Sequence, residues 1–77
     1  KFHKAGDAFY KRGVFAEALA LYEMQNPPDK RRLARTHEKL GDFAAALNLW
    51  NEARDKRAAE KCRARWDRSR QGRLFNH

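Results

Sequence analysis

Gly13-Val14-Phe15-Ala16-Glu17-Ala18-Leu19-Ala20-Leu21-Tyr22-Glu23 aligns without a gap on Gly41-Asp42-Phe43-Ala44-Ala45-Ala46-Leu47-Asn48-Leu49-Trp50-Asn51, each matched pair standing 28 residues apart. Chance would seldom keep glycine, aromatic, alanine, leucine and aromatic in one register. A fixed period of about 20 to 50 residues is the mark of stacked structural units, each too small to bury its own apolar face. The alignment therefore predicts two copies of one unit.

Each copy reads as helix, glycine stop, helix. Phe2, Ala5 and Phe9, with Gly6 between them, follow the i, i+3, i+7 stripe of an amphipathic helix, and Gly13 after Lys11 and Arg12 suits a left-handed C-terminal cap. Phe15, Ala18, Leu19 and Tyr22 repeat helical spacing and fold a second helix back on the first. Pro27 and Pro28 then break the chain and start the next helix near Pro28, with Asn26 as its expected N-cap. That helix should turn Leu33, Ala34, His37 and Leu40 inward and close at Gly41. Asp42 should cap a fourth helix whose inner residues are Phe43, Ala46, Leu47, Trp50 and Ala53.

A fifth helix is expected from about Asp55 to about Ser69, because Ala58, Ala59, Cys62 and Trp66 share one arc at ~100° per residue. The sequence thus divides into two helix pairs over 1–53 (about 1–25 and 28–53), a basic helix over 54–70 and an irregular tail over 71–77. The fold class is all-α: two antiparallel helix hairpins plus a C-terminal capping helix. Two pairs are fewer than the roughly three repeats such arrays need, so the sequence reads as a piece of a larger protein, an expectation that Lys1 in place of an initiator methionine supports.

The order of small residue, aromatic, glycine, aromatic, alanine and aromatic resembles the tetratricopeptide repeat. It falls on Gly6, Phe9, Gly13, Phe15, Ala18 and Tyr22, then on Ala34, His37, Gly41, Phe43, Ala46 and Trp50. The resemblance covers about residues 1 to 53 and implies a fragment of a right-handed α-solenoid. Gly6 and Ala34 would stand where paired helices approach closely, and Ala18 and Ala46 where neighbouring helices pack. The chain looks like a shortened variant: its spacing is 28 rather than ~34, His37 replaces an aromatic, and the motif's last alanine is Gln25 in one copy and Ala53 in the other. The resemblance further implies a partner-binding groove on the first helix of each pair, lined by His3, Asp7, Tyr10 and Lys11, then by Arg31, Arg35, Glu38 and Lys39. Asp7 stands where members that bind chaperone tails carry asparagine, so that specificity is not expected.

The formal net charge is +8, and its distribution is uneven. Residues 1–53 carry nine Lys or Arg against seven acids, while residues 54–77 carry nine against three. On the fifth helix Arg54, Arg57, Lys61, Arg65 and Arg68 form a basic flank beside the apolar arc, a candidate surface for an acidic protein or a neighbouring domain, with nucleic acid as the alternative partner. Trp66 is the residue that could stack on a base in that alternative. The competing structural reading is that long basic side chains lie over apolar surface while the helix caps the array.

No catalytic constellation is found. His3, His37 and His77 are scattered, His37-Glu38 lacks the second histidine of a helical zinc motif, and there is no phosphate-binding glycine loop. Thr36 and His37 are adjacent, so they point ~100° apart on a helix and cannot act as nucleophile and base. The lone Cys62 excludes an internal disulfide and reads as a small apolar residue. No apolar run approaches the ~18 residues a membrane span needs. The expectation is a cytoplasmic, non-catalytic scaffold for protein interaction, with no cofactor, metal or membrane contact.

Overall fold

A computed structural model describes the backbone of residues 1–75 and the side chains of residues 1–70. It is built of helices joined by short turns: α1 Phe2–Lys11, α2 Phe15–Met24, α3 Lys30–Lys39, α4 Phe43–Glu52 and α5 Lys56–Phe75, with no strand among the described residues. Each helix packs on the next, and α2 and α4 each touch the helix before and the helix after them. This zigzag sets α1, α3 and α5 on one side and α2 and α4 on the other, in a slab of 43 × 27 × 14 Å.

The turns follow from backbone chemistry. Gly13 (φ 79) and Gly41 (φ 83) adopt the left-handed conformation after α1 and α3. In each case the glycine N–H and the next N–H reach back to the last turn: Gly13 to Tyr10 O and Val14 to Phe9 O, Gly41 to Glu38 O and Asp42 to His37 O. This pair of hydrogen bonds satisfies carbonyls the helix leaves free, and glycine adopts the conformation without a Cβ clash. The same cap ends α4, with Arg54 N on Asn51 O and Asp55 N on Trp50 O. There the left-handed position (φ 58) is held by Arg54. Arg54 is therefore a turn residue, and the basic helix begins at Lys56 rather than at 54.

Aspartate starts the later helices. Asp29 accepts from Arg32 N at 3.1 Å, Asp42 from Ala45 N at 3.2 Å and Asp55 from Ala58 N at 3.1 Å. The expected N-cap at Asn26 is thus displaced to Asp29, and α3 starts two residues after Pro28. A residue before proline is steered out of the helical region, which keeps Asn26 and Pro27 outside the helix. At the other end, α5 continues through Phe75 where the sequence pattern suggested a stop near Ser69 and an irregular 71–77. Residues 76–77 lie outside the described residues.

The core forms two clusters bridged by Leu49. Ala18, Tyr22 and Leu33 join α2 to α3; Ala34, Ala46, Trp50, Ala59 and Cys62 join α3, α4 and α5. Tyr22 and Trp50, 28 residues apart, are 2% and 6% exposed. Aromatic rings remove on the order of 150–250 Å² each from water, so these two anchor their clusters. Gly6 is needed for close approach: a methyl there would run into Tyr22 Cε1 and stand 2.7 Å from Cδ1.

Three inner-face expectations change. Leu40 is 46% exposed because it follows the last turn of α3, beyond the reach of α4. Thr36 is fully buried instead; its Oγ1 donates to Arg32 O at 2.7 Å, so the hydroxyl is satisfied within its own helix. Ala5 is exposed, since no helix precedes α1 in the described structure to cover the face that α2 covers on α3.

Candidate functional site

The surface that gathers the predicted residues is the outer face of α1, α3 and α5. Asp29 and Asp55 cap α3 and α5 identically, a step of 26 residues, because the α4–α5 connection (53–55) is two residues shorter than the α2–α3 connection (25–29). The core agrees, since Leu33 and Thr36 step to the buried Ala59 and Cys62. By the same step Arg31, Arg35 and Lys39 correspond to Arg57, Lys61 and Arg65. With the 28-residue step from α1, three rows cross the helices: His3, Arg31, Arg57; Asp7, Arg35, Lys61; Lys11, Lys39, Arg65. The groove positions expected on α1 and α3 therefore correspond to Arg57, Lys61 and Arg65 of the basic flank expected on α5, and not to Arg54 or Arg68.

Two adjoining clefts open on this face. The first, about 330 Å³, lies between α1 and α3 over Tyr22 and is lined by Asp7, Tyr10, Lys11, Arg32 and Arg35. The second, about 380 Å³, brings three helices together at Tyr10, Arg35, Glu38, Lys39 and Arg65, with Phe43 beneath. Tyr10 and Arg35 border both. The Tyr10 ring stands edge-on to Phe15, 5.1 Å between centroids, which holds it in place.

The two acids on this surface are occupied by the fold. Asp7 accepts the Tyr22 hydroxyl and two guanidinium bonds from Arg32, Nε and Nη2, each 3.0 Å. Arg32 also reaches Asp29 Oδ2 at 2.5 Å, so one side chain ties α1 to the start of α3. The bonds from Arg32, then that from the Tyr22 hydroxyl, outweigh desolvation and hold the Asp7 carboxyl at about 2, from an ordinary 3.8. Burial first, then the Asp7 carboxylate, pushes the Tyr22 phenol up to about 12. For Asp29, burial pulls upward, but the Arg32 backbone N–H and guanidinium prevail and lower it.

Glu38 has the matching role in the second helix pair. It accepts Trp50 Nε1 at 2.7 Å and Arg65 Nη1 at 2.6 Å, and its side chain is only 9% exposed. In each pair a carboxylate on the first helix thus binds the buried aromatic of the second and an arginine of the following helix. These staples were not visible in the sequence, where Glu38 and Arg65 looked like independent surface charges.

The remaining predicted residues separate. Lys11, Arg35, Lys39, Arg57 and Lys61 are exposed and make no ion pair among the described residues. Arg31 leans on the α5 cap, Nε 3.5 Å from Asp55 Oδ2. His3 faces Tyr22, ring centroids 6.3 Å apart, and its Nε2 is buried without a hydrogen-bond partner among the described residues. Arg68 lies beyond the rows on the later turns of α5, and Arg54 is in the preceding turn. Trp66 is half-buried with the Arg70 guanidinium 5.4 Å over its ring.

The polar and sulfur groups of the core are committed to packing. Cys62 is fully buried, its thiol 3.8 Å from Phe43 O, and burial, then the Glu38 carboxylate, pushes it up to about 11. Thiolate, the reactive form, is suppressed there. No group of three or more His, Cys, Asp or Glu among the described residues could hold a metal ion, and no described helix is long and apolar enough to cross a membrane. A scan against protein-family models, a search of curated proteins and a search of solved structures each return no match to this chain.

Proposed function

We propose that this chain is a non-catalytic, tetratricopeptide-like helical-repeat scaffold acting in the cytoplasm, and that its α1–α3–α5 face docks an acidic partner, another protein or a neighbouring domain. The observation that carries the reading is the division of labour among its charges. Asp7 and Glu38 are bound to Arg32 and Arg65, while Lys11, Arg35, Lys39, Arg57 and Lys61 project with no counter-charge among the described residues. A face whose acids are neutralised internally presents net positive potential to whatever approaches, which steers acidic partners and disfavours basic ones. Helices α1, α3 and α5 hold these cations at fixed positions, so little ordering cost falls on the scaffold when it binds.

The test is a titration of the whole chain with a fluorescent acidic polypeptide and, in parallel, a non-specific single-stranded oligonucleotide. Binding of the polypeptide should weaken with salt and be lost in Arg35→Glu and Lys39→Glu, while Arg63→Glu on another face of α5 leaves it unchanged. Tighter binding of the oligonucleotide, with a steep salt slope removed by the same variants, would move the function to the nucleic-acid class. Binding equally impaired by Arg63→Glu would reduce the effect to net charge.

A further inference from the structure

We infer that the cleft lined by Arg35, Lys39 and Arg65 binds a phosphate monoester, its dianionic phosphoryl group held between α3 and α5 and its carbon group lying on Phe43. The inference deepens the docking reading above by naming an acid that this one cleft would take. Its first ground is the charge of the lining. Three cations, Arg35, Lys39 and Arg65, face one carboxylate, Glu38, around a volume of about 380 Å³. The excess of two positive charges matches a phosphate monoester, which carries about −1.5 to −2 at neutral pH, where a carboxylate carries a single charge.

The second ground is that the donors are set in place before any ligand arrives. Glu38 is fixed by Trp50 Nε1 at 2.7 Å and in turn holds Arg65 Nη1 at 2.6 Å. The Arg65 side chain remains 49% exposed, so the rest of its planar fork keeps donors for phosphoryl oxygens. Arg35 and Lys39 stand four residues apart on one face of α3 and make no ion pair among the described residues. Carbonyls that end α3 accept from the N–H groups of Leu40, Gly41 and Asp42, which offsets the negative helix end near the anion. Tyr10 lines the same cleft, its ring held edge-on to Phe15, and brings a hydroxyl donor. The neighbouring cleft differs, because Asp7 and Asp29 already engage Nε, Nη1 and Nη2 of its Arg32.

The experiment titrates the whole labelled chain with phenyl phosphate and with phenyl sulfate at mildly alkaline pH, following backbone amide shifts. The two esters have like shape, but the phosphate carries about two charges and the sulfate one. Phenyl phosphate is expected to bind about tenfold tighter, the effect of one further charge-assisted contact, with shifts centred on Arg35, Lys39 and Arg65. Lys39→Gln and Arg35→Gln, changes at exposed side chains, should each weaken it about tenfold with the helical circular-dichroism signal intact. Arg63→Gln, on another face of α5, should leave it unchanged. A phosphoserine peptide separates the sources: tighter binding than phenyl phosphate supports a modified partner side chain, and equal or weaker binding supports a free phosphorylated compound. No binding of phenyl phosphate, equal affinity for the two esters, or an equal loss in Arg63→Gln would overturn the phosphate site and leave the docking face standing. Phenyl phosphate binding without any binding of the acidic polypeptide would support the site and sink the docking reading.

Discussion

Replacing Asp7 by Asn removes one charge from the junction of α1, α2 and α3 and keeps an oxygen for the Tyr22 hydroxyl. In the native protein the carboxyl is held at about 2 from 3.8, a difference equivalent to about 2.4 kcal/mol. The Asp7 side chain is 40% exposed, so solvent screens much of that, and about 1 kcal/mol is the expected contribution. Because the folded value is depressed, the contribution is fully present above about pH 4 and is lost as pH falls towards about 2. Urea unfolding of the native chain and of Asp7→Asn across that window should show a gap of about 1 kcal/mol at neutral pH that closes on acidification. Asp29 and the other carboxyls titrate in both proteins and cancel in the difference. A gap that stays constant to pH 2, or is absent at neutral pH, would refute the staple.

Further expectations concern the turns and the core. Arg54→Gly should stabilise the chain by about 0.5–1 kcal/mol in thermal unfolding, since a left-handed cap then carries no Cβ; a loss of stability would contradict the cap. Gly6→Ala gains about 1 kcal/mol of helix propensity but drives a methyl into the Tyr22 ring, an overpacking cost of about 1–3 kcal/mol. The variant should be less stable, with a shifted Tyr22 environment by near-ultraviolet circular dichroism. Cys62 should resist thiol reagents at mildly alkaline pH in the folded chain and react at once in denaturant, as its burial and raised value of about 11 require.

Much of the architecture is written in local chemistry. Gly13 and Gly41 announce their caps because left-handed backbone favours glycine, and the Tyr22 and Trp50 stripes follow from helical spacing. Arg54 takes the same backbone conformation under a residue type that gives no such signal. Asp29 displaced Asn26 as a cap because consecutive prolines push the helix start downstream, which a reading of single residues undervalues. The staples at Asp7 and Glu38 join residues 25 and 27 positions apart, and no periodicity links them. The correspondence between the groove positions and the basic flank was hidden by the shortened α4–α5 connection, which changes the step from 28 to 26. The caps at Asp29 and Asp55 were the signal that could have revealed it.

The docking claim is tested most directly by mapping backbone amide shifts of the isotopically labelled chain during titration with the acidic polypeptide. Shifts are expected to concentrate on α1, α3 and α5 around Lys11, Arg35, Lys39 and Lys61, with α2 and α4 little changed outside the buried clusters. Shifts centred on the outer surfaces of α2 and α4, or confined to the later turns of α5 around Arg68, would contradict it.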